Sequence, residues 1–76
     1  MTNESSNLMV LIGMRIRARR EQLNLTQEQA SKKCGVTQSK FSNYEAWEPG
    51  KPKPTIDTLE KIATGLEMSI VDLLKE

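Results

Sequence analysis

Histidine is absent from this chain, and cysteine occurs once, at position 34. Without histidine, a zinc finger, a His-dependent catalytic triad, axial haem ligation and a facial-triad iron site are all excluded. A lone cysteine cannot form an internal disulfide, and Cys34 suits a reducing cytosol. Aromatic residues are equally scarce: one Trp, one Tyr and one Phe. No long apolar run occurs. The longest, Leu8-Met9-Val10-Leu11-Ile12, has five residues, against the roughly 20 needed to cross a bilayer. The polar start lacks the basic flank and cleavage site of a signal peptide. A soluble, cytoplasmic protein without membrane association, cofactor or metal is expected.

What remains is a chain of 76 residues, room for one small domain, with 37% hydrophobic residues to build a single core. A domain this size without disulfides or metals depends on tightly packed helices or on a partner subunit. All three prolines fall between positions 49 and 54, so the stretch WEPGKPKP at 47–54 is a loop between two helical blocks. Elsewhere apolar residues recur at steps of three and four, and no alternating β-branched stretch suggests a strand.

Five helices follow from this spacing and from the start signals. The first runs from about residue 8 to residue 23, with Asn7 as its N-cap, after a flexible tail at 1–7; residues 8–76 form one domain. Leu8, Ile12, Ile16 and Leu23 share one face. Gly13 costs that helix roughly 1 kcal/mol against Ala, which leaves residues 8–12 as either helix or a looser extension. Thr26 and Gln29 form a capping box opening the second helix, which closes at Cys34 and Gly35. Thr37 caps a third over Gln38–Glu45, and Thr55 caps a fourth carrying Ile56, Leu59, Ile62, Ala63 and Leu66. Ser69 caps a fifth over 70–75, with Asp72 as its reciprocal partner.

Two short helices joined through a turn containing glycine have the form of a helix-turn-helix, here 27–33 and 38–45. Phe41 and Tyr44 point the third helix inward, with Val36 and Cys34. Gln38, Ser39, Lys40, Ser42 and Asn43 are then left facing out, with no aliphatic side chain among them. An ordinary solvated helix carries Glu and Lys on such a face. Amides and hydroxyls match the donor and acceptor pattern of base edges in a DNA major groove. Charge is distributed to suit. From Met14 to Lys40 there are seven basic residues (Arg15, Arg17, Arg19, Arg20, Lys32, Lys33, Lys40) against Glu21 and Glu28, a balance of +5. From Ala46 onward, four basic residues oppose six acidic ones, a balance of −2. The total of +1 thus conceals a basic face around the two-helix unit, as phosphates require. Arg15, Arg17 and Arg19 are candidates for phosphate contact on that face.

Taken together, Arg15-Ile16-Arg17-Ala18-Arg19-Arg20, Leu25-Thr26-Gln27-Glu28-Gln29-Ala30, Gly35-Val36-Thr37-Gln38-Ser39 and Asn43-Tyr44-Glu45 resemble the phage repressor and Cro type (XRE-like) helix-turn-helix family. The likeness continues through Pro54-Thr55, Leu59, Ile62-Ala63, Met68-Ser69 and Leu73-Leu74. It implies an all-α, five-helix lambda-repressor-like DNA-binding domain. It also implies that Gln38, Ser39, Asn43 and Ser42 meet bases, and that Gln27, Lys40, Arg17, Lys51 and Lys53 meet the sugar–phosphate backbone. Arg20 and Glu45 fall where family members pair an Arg of the first helix with a Glu ending the third.

Three positions depart from the family pattern. Ala30-Ser31 replaces a large aliphatic followed by Ala, a gap for Phe41 or Met14 to fill. Glu67 stands where Gly is common. The loop after Glu45 is longer and contains Trp47, which either covers the core edge or anchors a subunit contact. The stripe Val10, Leu11, Met14 and Ala18 lies off the main apolar face of its helix, and either joins a dimer interface or covers the last helix.

The expected function is sequence-specific binding of double-stranded DNA and transcriptional repression, as a homodimer on a pseudo-palindromic operator. Copies set about 34 Å apart would read successive turns of one duplex face. An antitoxin that also binds a toxin protein, or a restriction–modification controller, would use the same fold. A protein-interaction module is the reading from another class. Enzymatic activity is not expected, since the carboxylates of Glu28, Glu45 and Glu60 show no convergent cleft.

Overall fold

The computed structural model describes residues 4–75. Along them run α1 (Glu4–Gln22), α2 (Gln27–Cys34), α3 (Gln38–Glu45), α4 (Ile56–Gly65) and α5 (Ile70–Leu74), with no strand among the described residues. The all-α, five-helix expectation is met. No described helix is long and apolar enough to cross a membrane.

Hydroxyl caps set the starts of the last four helices. Thr26 Oγ1 accepts from Gln29 N at 3.1 Å while Gln29 Oε1 accepts from Thr26 N at 2.9 Å, which closes the capping box. Thr37, Thr55 and Ser69 likewise accept from Lys40 N, Thr58 N and Val71 N at 3.2, 3.2 and 3.0 Å. Each bond satisfies an amide that the first helical turn leaves without a partner. Gly35, at φ 71°, ends α2. Asp72 pairs with Lys75 at 3.7 Å, and Ser69 bonds Val71 alone. Lys75 caps the end of α5 from outside the helix.

The start of α1 differs from expectation. It begins by Glu4, so Asn7 lies inside the helix and does not cap it. Of the expected tail, residues 1–3 lie outside the described residues. The helix also continues unbroken through Gly13, where the close approach of α3 requires a glycine. A Cβ there would stand 2.5 Å from the Tyr44 carbonyl oxygen and 3.0 Å from that of Glu45. Only hydrogen lets the end of α3 lie this close to α1.

The core gathers Met9, Ile12 and Ile16 of α1, Ala30 and Cys34 of α2, Phe41 of α3, Leu59, Ile62 and Ala63 of α4, then Leu66, Leu73 and Trp47. Leu8 and Leu23 pack partly buried at its margin. Ser31 fills its departure from the family pattern by itself: it is buried, and its hydroxyl donates to the Glu28 carbonyl at 2.9 Å. Phe41 is fully buried, but Met14 is 62% exposed and fills nothing. Val10 and Ala18 are exposed beside it, whereas Leu11 is half-buried.

The arginine run of α1 divides by face. Arg15 Nη1 donates to the Leu73 carbonyl at 3.0 Å and also to that of Lys75. Arg19 Nε donates to the Leu66 carbonyl at 2.9 Å, and its Nη2 to that of Glu67 at 3.1 Å. These carbonyls end α5 and α4, where unpaired acceptors and the negative pole of the helix favour a cation. Arg15 and Arg19 therefore clamp helix ends.

Candidate nucleic-acid interface

Three elements fix the orientation of α3. Phe41 anchors it from behind, with Tyr44 and Val36 half-buried alongside. At its far end Glu45, 9% exposed, accepts from Arg20 Nε at 2.5 Å through Oε2 and from Arg20 Nη2 at 3.1 Å through Oε1. The same Oε1 accepts from Gln27 Nε2 at 2.9 Å, and Arg20 Nη1 donates to the Leu25 carbonyl at 2.9 Å. The carboxylate hydrogen bonds raise the Arg20 pKa above its ordinary value, against the opposing effect of burial. One buried carboxylate thus joins α1, the start of α2 and the end of α3. No fully buried side-chain nitrogen or oxygen among the described residues lacks a partner, which a buried ion pair requires.

With its inner face held in this way, α3 presents Gln38, Ser39, Lys40 and Asn43 to solvent, and Ser42 half-buried. Among the expected backbone contacts, Gln27 is half-buried with its amide turned to Glu45. Lys51 lies beside α3, where Lys40, Asn43, Tyr44, Lys51 and Pro52 line a cleft of ≈ 240 Å³. Lys53 goes elsewhere. Its Nζ sits 5.9 Å from the centre of the Trp47 ring, and the residue borders an apolar groove with Ile12, Pro54, Ile56 and Leu59. Arg17 is exposed on α1 and pairs with Glu21 at 3.6 Å.

The basic face is smaller than the charge count suggests. Arg15, Arg19 and Arg20 are committed to helix ends and to Glu45. Lys32 and Lys33 meet Glu28 and Glu67 at 3.8 and 3.5 Å. Arg17 is likewise paired, with Glu21, so the cations left outward without an acidic partner beside α3 are Lys40 and, from the loop, Lys51.

Trp47 closes the core edge, at 5% exposure. Its indole Nε1 donates to the carbonyls of Lys51 at 3.2 Å and Pro52 at 3.1 Å. Nothing in the sequence spacing places this donor or brings Tyr44 and Pro52 to the site; both residues line the cleft. Cys34 is a core residue whose burial pushes its thiol up to about 11.

Residues 11–75 match the helix-turn-helix domain family. The chain belongs to that family, and its five-helix fold is that of the phage repressor and Cro (XRE-like) helix-turn-helix type. The chain is 36% identical over 59 residues to the cryptic phage CTXphi transcriptional repressor RstR of Vibrio cholerae. That match takes in 78% of the chain, which spans 50% of the relative's length. Among solved structures, the P22 c2 repressor in complex with synthetic operator 9T is similar at a TM-score of 0.73 and 34% identity, with 86% of this chain and 94% of that one covered. The restriction–modification controller C.AhdI of Aeromonas hydrophila gives a TM-score of 0.75 at 26% identity over 86% and 94%. The lambda-repressor-like fold is thereby established.

Proposed function

We propose that this chain is a cytoplasmic transcriptional repressor that binds a pseudo-palindromic operator in double-stranded DNA as a homodimer. The observation that carries this reading is the outer face of α3: amide, hydroxyl and ammonium groups stand exposed, and a fully buried Phe41 lies behind them. In the major groove Gln38 and Asn43 would pair bidentately with adenine, and Ser39 and Ser42 would take either a donor or an acceptor.

Backbone contacts would fix the register of that helix. Lys40 and Lys51 flank α3. Gln27 keeps a second amide hydrogen for a phosphate at the start of α2, with the first held by Glu45. Arg17 and Lys53 are exposed cations outside the cleft, suited to phosphates further along the duplex.

Pairing of two copies follows from the few base pairs that one helix can read. The restriction–modification controller reading keeps a place, since the likeness to C.AhdI spans nearly the whole of that protein. Either reading requires DNA binding.

Fluorescence-anisotropy titration against mixed-sequence duplex DNA at two salt concentrations tests it. Affinity that falls steeply as salt rises supports DNA binding through phosphates. Absence of binding at low salt would favour a protein-interaction module. Sedimentation of the chain with and without Leu11→Glu reports the oligomeric state and whether the α1 stripe takes part in it.

A further inference from the structure

The loop after α3 has a shortage of hydrogen-bond donors. Pro49, Pro52 and Pro54 contribute no backbone N–H, so this stretch cannot tie itself together as an ordinary loop does. Two devices replace the missing bonds. Glu48-Pro49-Gly50-Lys51 forms a tight turn, with Lys51 N donating to the Glu48 carbonyl at 3.1 Å and Gly50 at φ 95°, a backbone value suited to glycine. The buried indole of Trp47 then donates one N–H to the two successive carbonyls that follow, those of Lys51 and Pro52. Lys53 lies over the same ring.

The result is a fixed wall opposite α3. The cleft between them takes Lys51 and Pro52 from the loop and Lys40, Asn43 and Tyr44 from the helix. Neither lysine has a carboxylate within ion-pair distance among the described residues. Two such cations across a cleft of ≈ 240 Å³ complement one phosphodiester and leave the Asn43 amide for the bases.

We infer that Trp47 is a positioning residue for DNA: its indole N–H holds the loop so that Lys51 and Lys40 together clasp the backbone phosphate next to the bases that α3 reads. This rests on the proposed DNA-binding role and adds to it a residue that touches no DNA. The helix wall of the cleft belongs to α3 itself, so a phosphate held there would fix the depth at which Asn43 enters the groove.

Trp47→Phe keeps a buried aromatic ring, smaller than the indole, and removes the donor. The variant should keep the helical circular-dichroism spectrum. Its slope of log affinity against log salt on mixed-sequence duplex should fall, by up to about 0.9, the value of one whole phosphate contact, since Lys40 keeps part of the hold. Lys51→Ala should cost the same, and should cost little more when added to Trp47→Phe. A Trp47→Phe slope equal to that of the unaltered chain, or a Lys51→Ala loss undiminished in the Trp47→Phe background, would overturn the inference.

Trp47 is the only tryptophan, so its indole N–H gives a single resonance and decides the matter even if Trp47→Phe does not fold. Slow solvent exchange in the free protein and a shift on adding duplex support the assignment. Exchange as fast as free indole, or no shift at saturation, overturns it. If the unaltered chain binds no duplex at low salt, the failure lies in the DNA-binding role itself.

Discussion

Gly13 of α1 and Tyr44 of α3 are packed so closely that a Cβ on the glycine would stand 2.5 Å from the tyrosine's carbonyl oxygen. The obstacle is backbone, so it cannot rotate away. Two effects oppose each other in Gly13→Ala: helix propensity favours Ala by roughly 1 kcal/mol, while overpacking at a helix crossing costs about 1–3 kcal/mol. The clash should win. Gly13→Ala is expected to lower the melting temperature and to weaken DNA binding, because the displaced element carries Asn43. Thermal denaturation and anisotropy on the same sample check both.

The Arg20–Glu45 pair is a second brace on α3. Side-chain exposures of 13% and 3% leave little solvent to compensate a lost partner. Glu45→Ala should cost about 3–5 kcal/mol, a large part of the roughly 5–15 kcal/mol typical of a small domain. The double variant Arg20→Ala/Glu45→Ala should cost less than the two single losses together, since it leaves no uncompensated charge. Urea unfolding of the three variants measures this.

Glu67 occupies a left-handed conformation at φ 55°. That conformation costs an L-residue roughly 1–2 kcal/mol, against about 0.5–1 kcal/mol of extra chain entropy lost by glycine on folding. The exposed ion pair with Lys33 contributes little. Glu67→Gly is therefore expected to stabilise the protein slightly, by up to ~1 kcal/mol, read as a higher urea midpoint.

Cys34 gives the fold a pH dependence on the alkaline side. Its thiol is pushed from 9.0 to about 11, first by burial, with Lys33 acting weakly in the opposite direction. A raised folded-state pKa means that its contribution is complete below pH 9 and is lost as pH rises toward 11. The melting temperature should fall across that window more steeply in the unaltered chain than in Cys34→Ala. A thiol reagent at pH 8 should label Cys34 only after denaturant opens the core.

Helix starts were the most legible part of this sequence, because Thr26, Thr37, Thr55 and Ser69 each place a hydroxyl where the chain has an orphan amide. Composition is equally direct about α3: Phe41 and Tyr44 against Gln38, Ser39 and Asn43 set inside from outside on so short a helix. Apart from Asn7 in α1 and Asp72 in α5, the misreadings involve one element acting on another. Gly13 reads as a weak point in α1 until α3 is laid across it. Arg15 and Arg19 read as surface charge until the ends of α4 and α5 are brought beneath them. Lys51 and Lys53 are two residues apart, yet the turn at Gly50 and the Trp47 indole direct one to α3 and the other to the apolar groove. Spacing along one helix reports its faces; it does not report which carbonyl of a distant helix will meet them.

The claim on which the account rests is that α3 reads bases, and comparing Gln38→Ala with Lys40→Ala tests it most directly. A duplex selected from a random pool by the unaltered chain serves as the specific target, and mixed-sequence duplex as the reference. Gln38→Ala is expected to lose about 1–3 kcal/mol on the selected duplex with relaxed preference at one base pair, and almost nothing on mixed sequence. Lys40→Ala should weaken both more evenly and reduce the salt slope. Equal losses on the two duplexes for Gln38→Ala would contradict the account.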